Sequence, residues 1–311
     1  MTFAKRLFRR AAGGLAALLV ASFLAFMILE ASPGDVTDIL VGDSATQVEK
    51  DAVRKEMGLD RPVITRYLEF LENLLLHGDL GRSAVNNRPV TELIAQRFIN
   101  TLLLAVSATL LALVMGIQFG LHAALHRRTW LDALLSIVMA AGLSTPVFGL
   151  AILFTQVFSV HLGWLPAIGA GSVRHFILPV LSLAIPTAAV IARLTRSSLL
   201  ETLDMHYVTT AHGKGVPRKL VWRRHILRNS LVPVISLVGV QFGHLLAGAF
   251  IVETIFAWPG LGRLTVQAIF DQDYPVVLGS VILAVVIFQV LNLIVDVIHT
   301  WLDPRIRTAE A

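Results

Sequence analysis

The chain has 311 residues, of which 55% are hydrophobic and only 15% are charged. Soluble domains contain about 25% charged residues, so this composition leaves too few polar side chains to cover a soluble core and indicates an integral membrane protein. Cysteine is absent, which excludes disulfides, thiolate metal sites and cysteine nucleophiles. The net charge of +5 fits basic loops at a membrane surface better than nucleic-acid binding.

Six apolar runs approach or exceed the roughly 20 residues that a helix needs to cross a bilayer. In chain order they are Ala11–Leu29, Ile99–Leu125, Ala133–Phe158, Phe176–Ala192, Ser230–Val252 and Val276–Ile298. The first run follows four basic residues, as a signal peptide would, but it is longer than a usual signal core and no small-x-small cleavage site follows it. The sequence therefore predicts an all-α polytopic membrane protein with six transmembrane helices, the first of them an uncleaved anchor.

The chain is expected to have four parts. Residues 1–29 form the first transmembrane helix, 30–98 an external helical segment, 99–300 a membrane core with five more helices, and 301–311 a tail. Within the external segment, Thr46–Met57 and Thr65–Leu76 have the pattern of short amphipathic helices, separated by Gly58 to Pro62 and ended by Gly78 to Gly81.

The lysines and arginines predict an orientation. Four basic residues precede the first span, two (Arg127 and Arg128) lie between the second and third, and eight lie from Arg193 to Arg228, between the fourth and fifth. The loops on the other side have one basic residue each, Arg174 and Arg263. Because basic residues concentrate in cytoplasmic loops, both termini and the loop 193–229 are predicted to be cytoplasmic.

The common catalytic motifs are missing from the sequence. The nearest approach to a phosphate-binding loop is Gly213-Lys214-Gly215, which has Val208 in place of the first glycine and glycine where Ser or Thr should follow the lysine. Neither His-Glu-x-x-His nor Gly-x-Ser-x-Gly occurs. We therefore expect no catalytic residue, bound cofactor or metal site in this chain.

The loop 193–229 contains the most informative pattern. Gly213 and Gly215 predict the end of a helix that descends from the fourth span, and Pro217 can begin a second helix because its missing N–H is harmless in a first turn. On that second helix Arg224 and Arg228 share a face. A loop that only fixes topology needs fewer residues, so we interpret this one as a docking surface for a cytoplasmic partner.

The loop resembles the ATPase-coupling loop of ABC importer permeases, and specifically the dipeptide, oligopeptide and nickel branch. It reads Tyr-x-x-Thr-Ala-x-x-Lys-Gly from Tyr207 to Gly215, then Arg-His-x-x-Arg-Asn-x-x-x-Pro from Arg224 to Pro233. Similar motifs follow one another along nearly the whole chain, at Met57–Pro62, Gly78–Ser83, Ser144–Phe148, Gly163–Pro166, Glu253–Arg263, Asp273–Pro275, Asn292–Asp296 and Asp303–Arg307. In place of the Glu and Ala of the general motif, this chain has Thr209 and Thr210.

The resemblance implies a permease core and a set of partners. The chain would form half of a translocation pathway in a bacterial inner membrane, beside a homologous second permease. Two cytoplasmic ATPase subunits would bind ATP and magnesium, and an external binding protein would deliver a dipeptide, an oligopeptide, glutathione, nickel or an opine-type metal chelate. The alternative is an ion-gradient-driven secondary transporter or channel, which would need paired intramembrane carboxylates where the sequence offers Asp296 alone.

The resemblance assigns candidate site residues in the loop and beyond it. The coupling set is Tyr207, Thr210, Ala211, Lys214, Gly215, Arg224, Arg228 and Pro233. The turn Trp258, Pro259, Gly260 and Arg263 is a candidate outer gate or dock for the binding protein, with a re-entrant turn anchored by Trp258 as the alternative.

Polar residues inside the spans are candidates for the pathway. They are Gln118, His122, Gln156, Gln241, His244, Gln289, Asn292 and Asp296. Gln241 and His244 follow the coupling loop directly and are the pathway candidates we retain, whereas interhelical hydrogen bonds are favoured for Gln118, Gln156, Gln289 and Asn292. The pairs Gly116/Gly120 and Gly239/Gly243 have the spacing that lets helices pack closely.

Overall fold

The computed structural model describes residues 3–31 and 60–302, together with Thr46, Val48, Asp51, Ala52 and Lys55. The side chains of residues 3–11, 292 and 295–302 are outside this description, and those of Asn292 and Asp296 are among them. The predicted helix Thr46–Met57 lies largely outside the described residues, and so does the tail after Leu302.

The described residues are almost entirely helical. The α-helices are α1 (Phe3–Ala31), α2 (Val63–Glu72), α3 (Val90–Leu125), α4 (Trp130–Ser144), α5 (Val147–Phe154), α6 (Val173–Leu203), α7 (His206–Gly213), α8 (Arg218–Leu220), α9 (Arg228–Ser230), α10 (Val232–Ile255), α11 (Leu261–Phe270) and α12 (Tyr274–Leu302). Wider π-helical turns extend α2 to His77 and α5 to His161, and join α8 to α9 over Val221–Leu227. The prediction of an all-α protein is confirmed for this part of the chain.

Among the described residues, five stretches of helix are long and apolar enough to cross a membrane. They are Ala12–Ala31, Val90–Leu125, Val173–Leu203, Arg218–Ile255 and Tyr274–Leu291. The pair α4 and α5 makes a sixth span only if both helices are counted together, because they are bent by 101° at the break between them. The prediction of one continuous helix over Ala133–Phe158 is therefore wrong.

Proline explains this bend. Pro146 has no N–H to continue the hydrogen-bond ladder of α4, and its ring disfavours a helical conformation in the preceding residue. Thr145 is accordingly extended, with φ −89° and ψ 120°. A second boundary also differs from expectation, since α3 begins at Val90 rather than Ile99 and so takes up the last part of the predicted external segment 30–98.

The chain divides into two compact units. The first contains the described residues up to Asn100 together with Pro259–Val290, and the second contains Thr101–Trp258 and the described residues from Leu291 to Leu302. In the first unit, Val90 and Ile94 of α3 pack with Leu261 of α11 and Val276 of α12. In the second unit, α6 supplies much of the core, which also takes residues from α3, α5 and α10.

Two glycines of α3 allow this helix to approach α6 closely. A Cβ atom added to Gly120 would lie 2.5 Å from the carbonyl oxygen of Ala192, and one added to Gly116 would lie 2.6 Å from Cγ2 of Ile191. Both distances are shorter than a real Cβ contact, so only glycine fits. The packing role predicted from the spacing is confirmed for this pair and stays a prediction for Gly239 and Gly243.

The substitution Gly120→Ala tests this contact. It should destabilise the protein by about 1–3 kcal/mol, the usual cost of overpacking, although alanine is favoured over glycine by about 0.5–1 kcal/mol in an unconstrained helix. Gly13→Ala on α1 is the matched control, because an added Cβ there meets no atom within 4 Å. Thermal unfolding in detergent measures both, and equal melting temperatures for the two variants would contradict the close approach.

Candidate functional site

The segment predicted to dock a partner folds as two short helices joined by a turn. We call residues 206–230 the helical hairpin: α7, a turn over Lys214–Pro217, and the helical stretch from Arg218 to Ser230. One expectation is wrong in detail, because the helix descending from the fourth span ends at Leu203 and does not continue to the glycines. Met205 is extended, with φ −75° and ψ 139°, so α7 begins as a separate helix.

The turn after α7 depends on a left-handed glycine. Gly215 has φ +74°, and its N–H donates to the carbonyl of His212 at 3.0 Å while the N–H of Val216 donates to that of Ala211 at 3.2 Å. These two bonds form a Schellman motif, which satisfies the last carbonyls of a helix and requires a left-handed residue at this position. The sequence prediction that the glycines end a helix is correct for α7.

An apolar base fixes the hairpin to the membrane helices. Val208 of α7 packs with Val221 and Ile226 from the other arm, and all three side chains are buried. The same cluster includes Ala124, at the end of α3, and Leu199, near the end of α6. The hairpin therefore rests on the ends of two long helices of its unit.

Polar bonds brace the two arms. The hydroxyl of Tyr207 donates to the carbonyl of His225 at 3.3 Å and accepts from Nδ2 of Asn229 at 3.0 Å. The hydroxyl of Ser198 on α6 donates to the carbonyl of Ser230 at 2.9 Å in a buried position. Tyr207, predicted as a docking residue, thus also closes the hairpin.

The outer face of the hairpin is exposed and cationic. Thr210, Lys214, Gly215, Arg224 and Arg228 of the predicted coupling set are exposed, as is Tyr207, whereas Ala211 is half-buried and Pro233 belongs to the first turn of α10. Three further exposed cations, Arg218, Lys219 and Arg223, complete the face. The run of basic residues in the sequence predicted these three cations, whereas the coupling-loop motif did not include them. No Asp or Glu occurs from Met205 to Val252, so nothing on this stretch offsets their charge.

Replacing Gly215 with alanine tests the turn. Because a left-handed conformation costs a residue with a Cβ about 1–2 kcal/mol, Gly215→Ala should raise amide hydrogen exchange of residues 211–216 by about fivefold or more. Gly213→Ala is the control, since Gly213 lies within α7 and a Cβ there meets no atom within 4 Å. Exchange that rises equally in both variants would show that the left-handed turn does not hold the hairpin.

An ion pair that sequence reasoning missed ties α4 to α6. Arg196 of α6 binds Asp132 of α4 through two parallel bonds, Nε to Oδ1 at 2.8 Å and Nη2 to Oδ2 at 2.9 Å. Asp132 is only 7% exposed and also accepts the backbone N–H of Arg128 at 3.1 Å. An exposed contact between Arg127 and Asp204, at 3.7 Å, links the same loop to the end of α6. The segment before α4 is thereby attached to the helix that leads into the hairpin.

A double-mutant cycle on Asp132→Asn and Arg196→Gln measures this pair. The double variant should lose less unfolding free energy than the two single variants together, because each single change leaves a partly buried charge without its partner. The expected coupling energy is about 1–3 kcal/mol. The pair Arg88 and Glu92, with side chains 46% and 49% exposed, is the control and should show at most about 0.5 kcal/mol. Chemical unfolding in detergent supplies the values; additive effects at Asp132 and Arg196 would contradict the link.

One face of α10 is left uncovered by the residues that the structure describes. The exposed positions Val240, His244, Ala247, Ile251 and Thr254 recur every three or four residues, which places them along a single helical stripe. Leu245, Leu246, Ala249 and Val252 are buried in the core of the unit. Of the two pathway candidates, His244 lies on this stripe and Gln241 is half-buried beside it.

The candidate gate begins at the end of α10. Ala257 is left-handed, with φ +50°, and the N–H of Trp258 donates to the carbonyl of Glu253 at 2.8 Å. The Trp258 ring is 6% exposed and lies 5.3 Å from that of Phe176. Glu253 is fully buried and accepts the hydroxyl of Thr101 at 2.6 Å. Trp258 is thus part of the core of its unit.

The remaining gate residues lie in the first unit. The carbonyl of Pro259 accepts Nδ2 of Asn100 at 2.8 Å. Gly260 caps the N-terminus of α11, and Arg263 follows in the first turn of that helix. The proposed gate or dock at these positions stays a prediction.

Long apolar helices with an exposed cationic hairpin between two of them define a multi-pass membrane protein. The sequence from residue 3 to 105 matches the family described as "Binding-prot-dependent transport system membrane comp, N-term". Residues 116–308 match "Binding-protein-dependent transport system inner membrane component". The chain belongs to this family: it is an inner-membrane permease subunit of an ABC importer, of the peptide and oligopeptide type, as its resemblance to that branch implied.

Individual relatives agree with this assignment. The glutathione transport system permease protein GsiC of Escherichia coli O6:H1 is 41% identical over 299 residues, which cover 96% of this chain and 97% of that protein. The protein of the same name from Pectobacterium atrosepticum is 42% identical with the same coverage.

Solved structures share the fold. The inward-facing methionine ABC transporter MetNI matches with a TM-score of 0.58 and 18% identity, over 68% of this chain and 97% of that one. An amino acid ABC transporter crystallised with histidines matches with a TM-score of 0.53 and 20% identity, over 68% and 94%. At these identities the likeness concerns the fold alone.

Proposed function

We propose that this permease forms half of a translocation pathway for a short peptide-like substrate and that its helical hairpin docks on a cytoplasmic ATPase subunit. The observation that carries this proposal is the construction of the hairpin. Its outer face exposes six cations, Lys214, Arg218, Lys219, Arg223, Arg224 and Arg228, whereas its base packs on the ends of α3 and α6. Such a segment can receive a force at its surface and pass it to membrane helices.

The proposed orientation places the hairpin and both termini in the cytoplasm. It rests on the eight basic residues from Arg193 to Arg228 and the four that precede the first span, because short basic loops stay on the cytoplasmic side. The ATPase subunits would meet the hairpin there.

The structure suggests how closure of the ATPases would reach the spans. Two partner subunits would hold ATP and magnesium and close around them, and this chain would bind neither. Movement of the hairpin would pull on Leu199 and Ala124 through the apolar base. Because Asp132 and Arg196 join α4 to α6, these helices would rock together and open the pathway alternately to each side.

The uncovered stripe of α10 supports a second, homologous permease as partner. His244 and Thr254 lie on the exposed stripe, and polar side chains are costly when they face lipid. A second permease across this stripe would cover them, and Gln241 and His244 would then lie near the shared pathway. An external binding protein would deliver the substrate on the opposite side, where Trp258, Pro259, Gly260 and Arg263 are the candidate gate or dock.

The substrate class follows from the relatives. Proteins that cover nearly all of this chain at 41–42% identity are named as glutathione permeases, and glutathione is a short peptide. A peptide-like substrate is therefore the best-supported choice. Nickel and metal chelates, which the sequence left open, gain no support from these names.

Charge reversal on the hairpin tests the coupling. The chain is co-expressed with its second permease and ATPase, and Arg224→Glu/Arg228→Glu is compared with Arg174→Glu, an exposed arginine in the first turn of α6, at the other end of that helix from the hairpin. The double variant leaves the buried base intact, yet it should reduce ATPase co-purification and uptake by about tenfold or more, because it places charges of the wrong sign at the docking surface. The Arg174 variant should behave as the wild type.

Proteoliposomes that contain the same complex test the substrate class. With the binding protein present, ATP-dependent uptake of radiolabelled glutathione or a dipeptide is expected, while nickel is not accumulated. Normal coupling in the charge-reversed variant would reject the docking role of the hairpin, and nickel uptake without peptide uptake would reject the peptide-like substrate.

A further inference from the structure

The first unit contains a cavity whose lining residues have no role in the function proposed above. Its volume is about 340 Å³, and it lies between the C-terminal end of α1, the helix α2 with its π-helical extension, and the beginning of α12. Part of its wall is apolar and is formed by Phe26, Leu29, Phe70 and Leu278.

The remainder of the wall is charged. Three carboxylates, Glu30, Glu69 and Asp79, line the cavity with one guanidinium, Arg66. Arg66 binds Glu30 at 2.8 Å and lies 5.9 Å above the Phe26 ring. Asp79 accepts the N–H of Gly81 at 2.8 Å. Arg61, which is not part of the lining, binds Glu69 at 2.7 Å. The lining itself is net acidic, and two of its three carboxylates are each paired with an arginine.

A buried hydroxyl belongs to one of the residues that line the cavity. Tyr274 lines the cavity, and its hydroxyl oxygen is buried with no hydrogen-bond partner among the residues that the structure describes. A buried hydroxyl without a partner costs about 1–3 kcal/mol, so an acceptor supplied by a bound molecule would offset this cost.

The cavity lies where two spans meet the membrane surface. The apolar part of α1 ends at Ala31, and that of α12 begins at Tyr274. If both helices span a bilayer, these helix ends would lie near its polar interface. Only 6% of the apolar span of α1 is buried inside the described structure. Ile28, which lies between the cavity-lining residues Phe26 and Leu29, is 68% exposed. The apolar wall is thus continuous with a helix surface that faces lipid.

We propose that this cavity binds the headgroup of a phospholipid with a primary ammonium, such as phosphatidylethanolamine. The ammonium would lie against Glu30 and Glu69, the phosphate would accept from Arg66 and the Tyr274 hydroxyl, and an acyl chain would follow Phe26 and Leu29. The excess of carboxylates disfavours an anionic lipid or a free phosphate, and a free amine would leave the apolar wall unused. With the orientation proposed above, the site faces the outer leaflet. Lipid binding itself does not depend on that orientation.

Native mass spectrometry of the delipidated full-length chain in detergent tests this site. Phosphatidylethanolamine, phosphatidylcholine and phosphatidylglycerol are titrated separately, and the first should bind about three- to tenfold more tightly than the other two. Glu30→Gln and Glu69→Gln should each remove most of this preference, because these carboxylates would contact the ammonium. Arg66→Gln and Tyr274→Phe should instead weaken the binding of all three lipids, because the three lipids share the phosphate. Glu92→Gln, in an exposed ion pair outside the cavity, should keep it.

Several results would overturn the proposal. Equal affinity for the three lipids, or an unchanged preference in both glutamate variants, would show that the cavity does not select a headgroup. Displacement of the lipid by glutathione or a dipeptide would assign the cavity to a solute instead. Co-purification of the ATPase is measured on the same variants: loss of lipid preference with normal ATPase binding concerns this site alone, and failed docking with intact lipid preference concerns the proposed function alone.

Discussion

The close approach of α3 to α6 is the constraint on which the second unit depends. Lipid tails are as apolar as leucine, so helices in a membrane associate through tight van der Waals contact rather than through exclusion of water. Gly116 and Gly120 provide this contact because they leave room for Ile191 and Ala192. One turn beyond Gly120 lies Ala124, which carries the base of the hairpin. The position of the helical hairpin, far from the membrane centre, thus depends on two glycines within α3.

Much of the fold could be predicted from apolar runs, because length and hydropathy define a span with little help from tertiary contacts. The effect of individual prolines could not. Pro146 separates α4 from α5 by a bend of 101°, whereas Pro179 and Pro186 lie within α6 and the helix continues through them. Whether a proline breaks a membrane helix depends on neighbours that satisfy the freed backbone groups, and those neighbours come from distant parts of the chain.

The candidate site could be predicted from the sequence where a feature depends only on neighbouring residues. Gly215 marks a left-handed helix end because glycine adopts that conformation without strain. The same type of ending occurs at Ala257 and Gln272, with φ +50° and +53°, and no residue type signals it there. Asp132 and Arg196 are 64 positions apart, so neither periodicity nor motif could pair them. Local signals therefore found the surface of the hairpin but not what attaches α4 to its supporting helix.

The division between base and surface bears on how the hairpin would recognise its partner. Val208, Val221 and Ile226 are committed to the base and are buried, so specificity must come from the exposed face. The general motif has Glu where this chain has Thr209, and no Asp or Glu occurs from Met205 to Val252. An acidic contact is therefore absent from this face, and its cations are left to select the partner. If docking occurs as proposed, the complementary cleft must be rich in carboxylates, because six like charges would otherwise repel the surface that they approach.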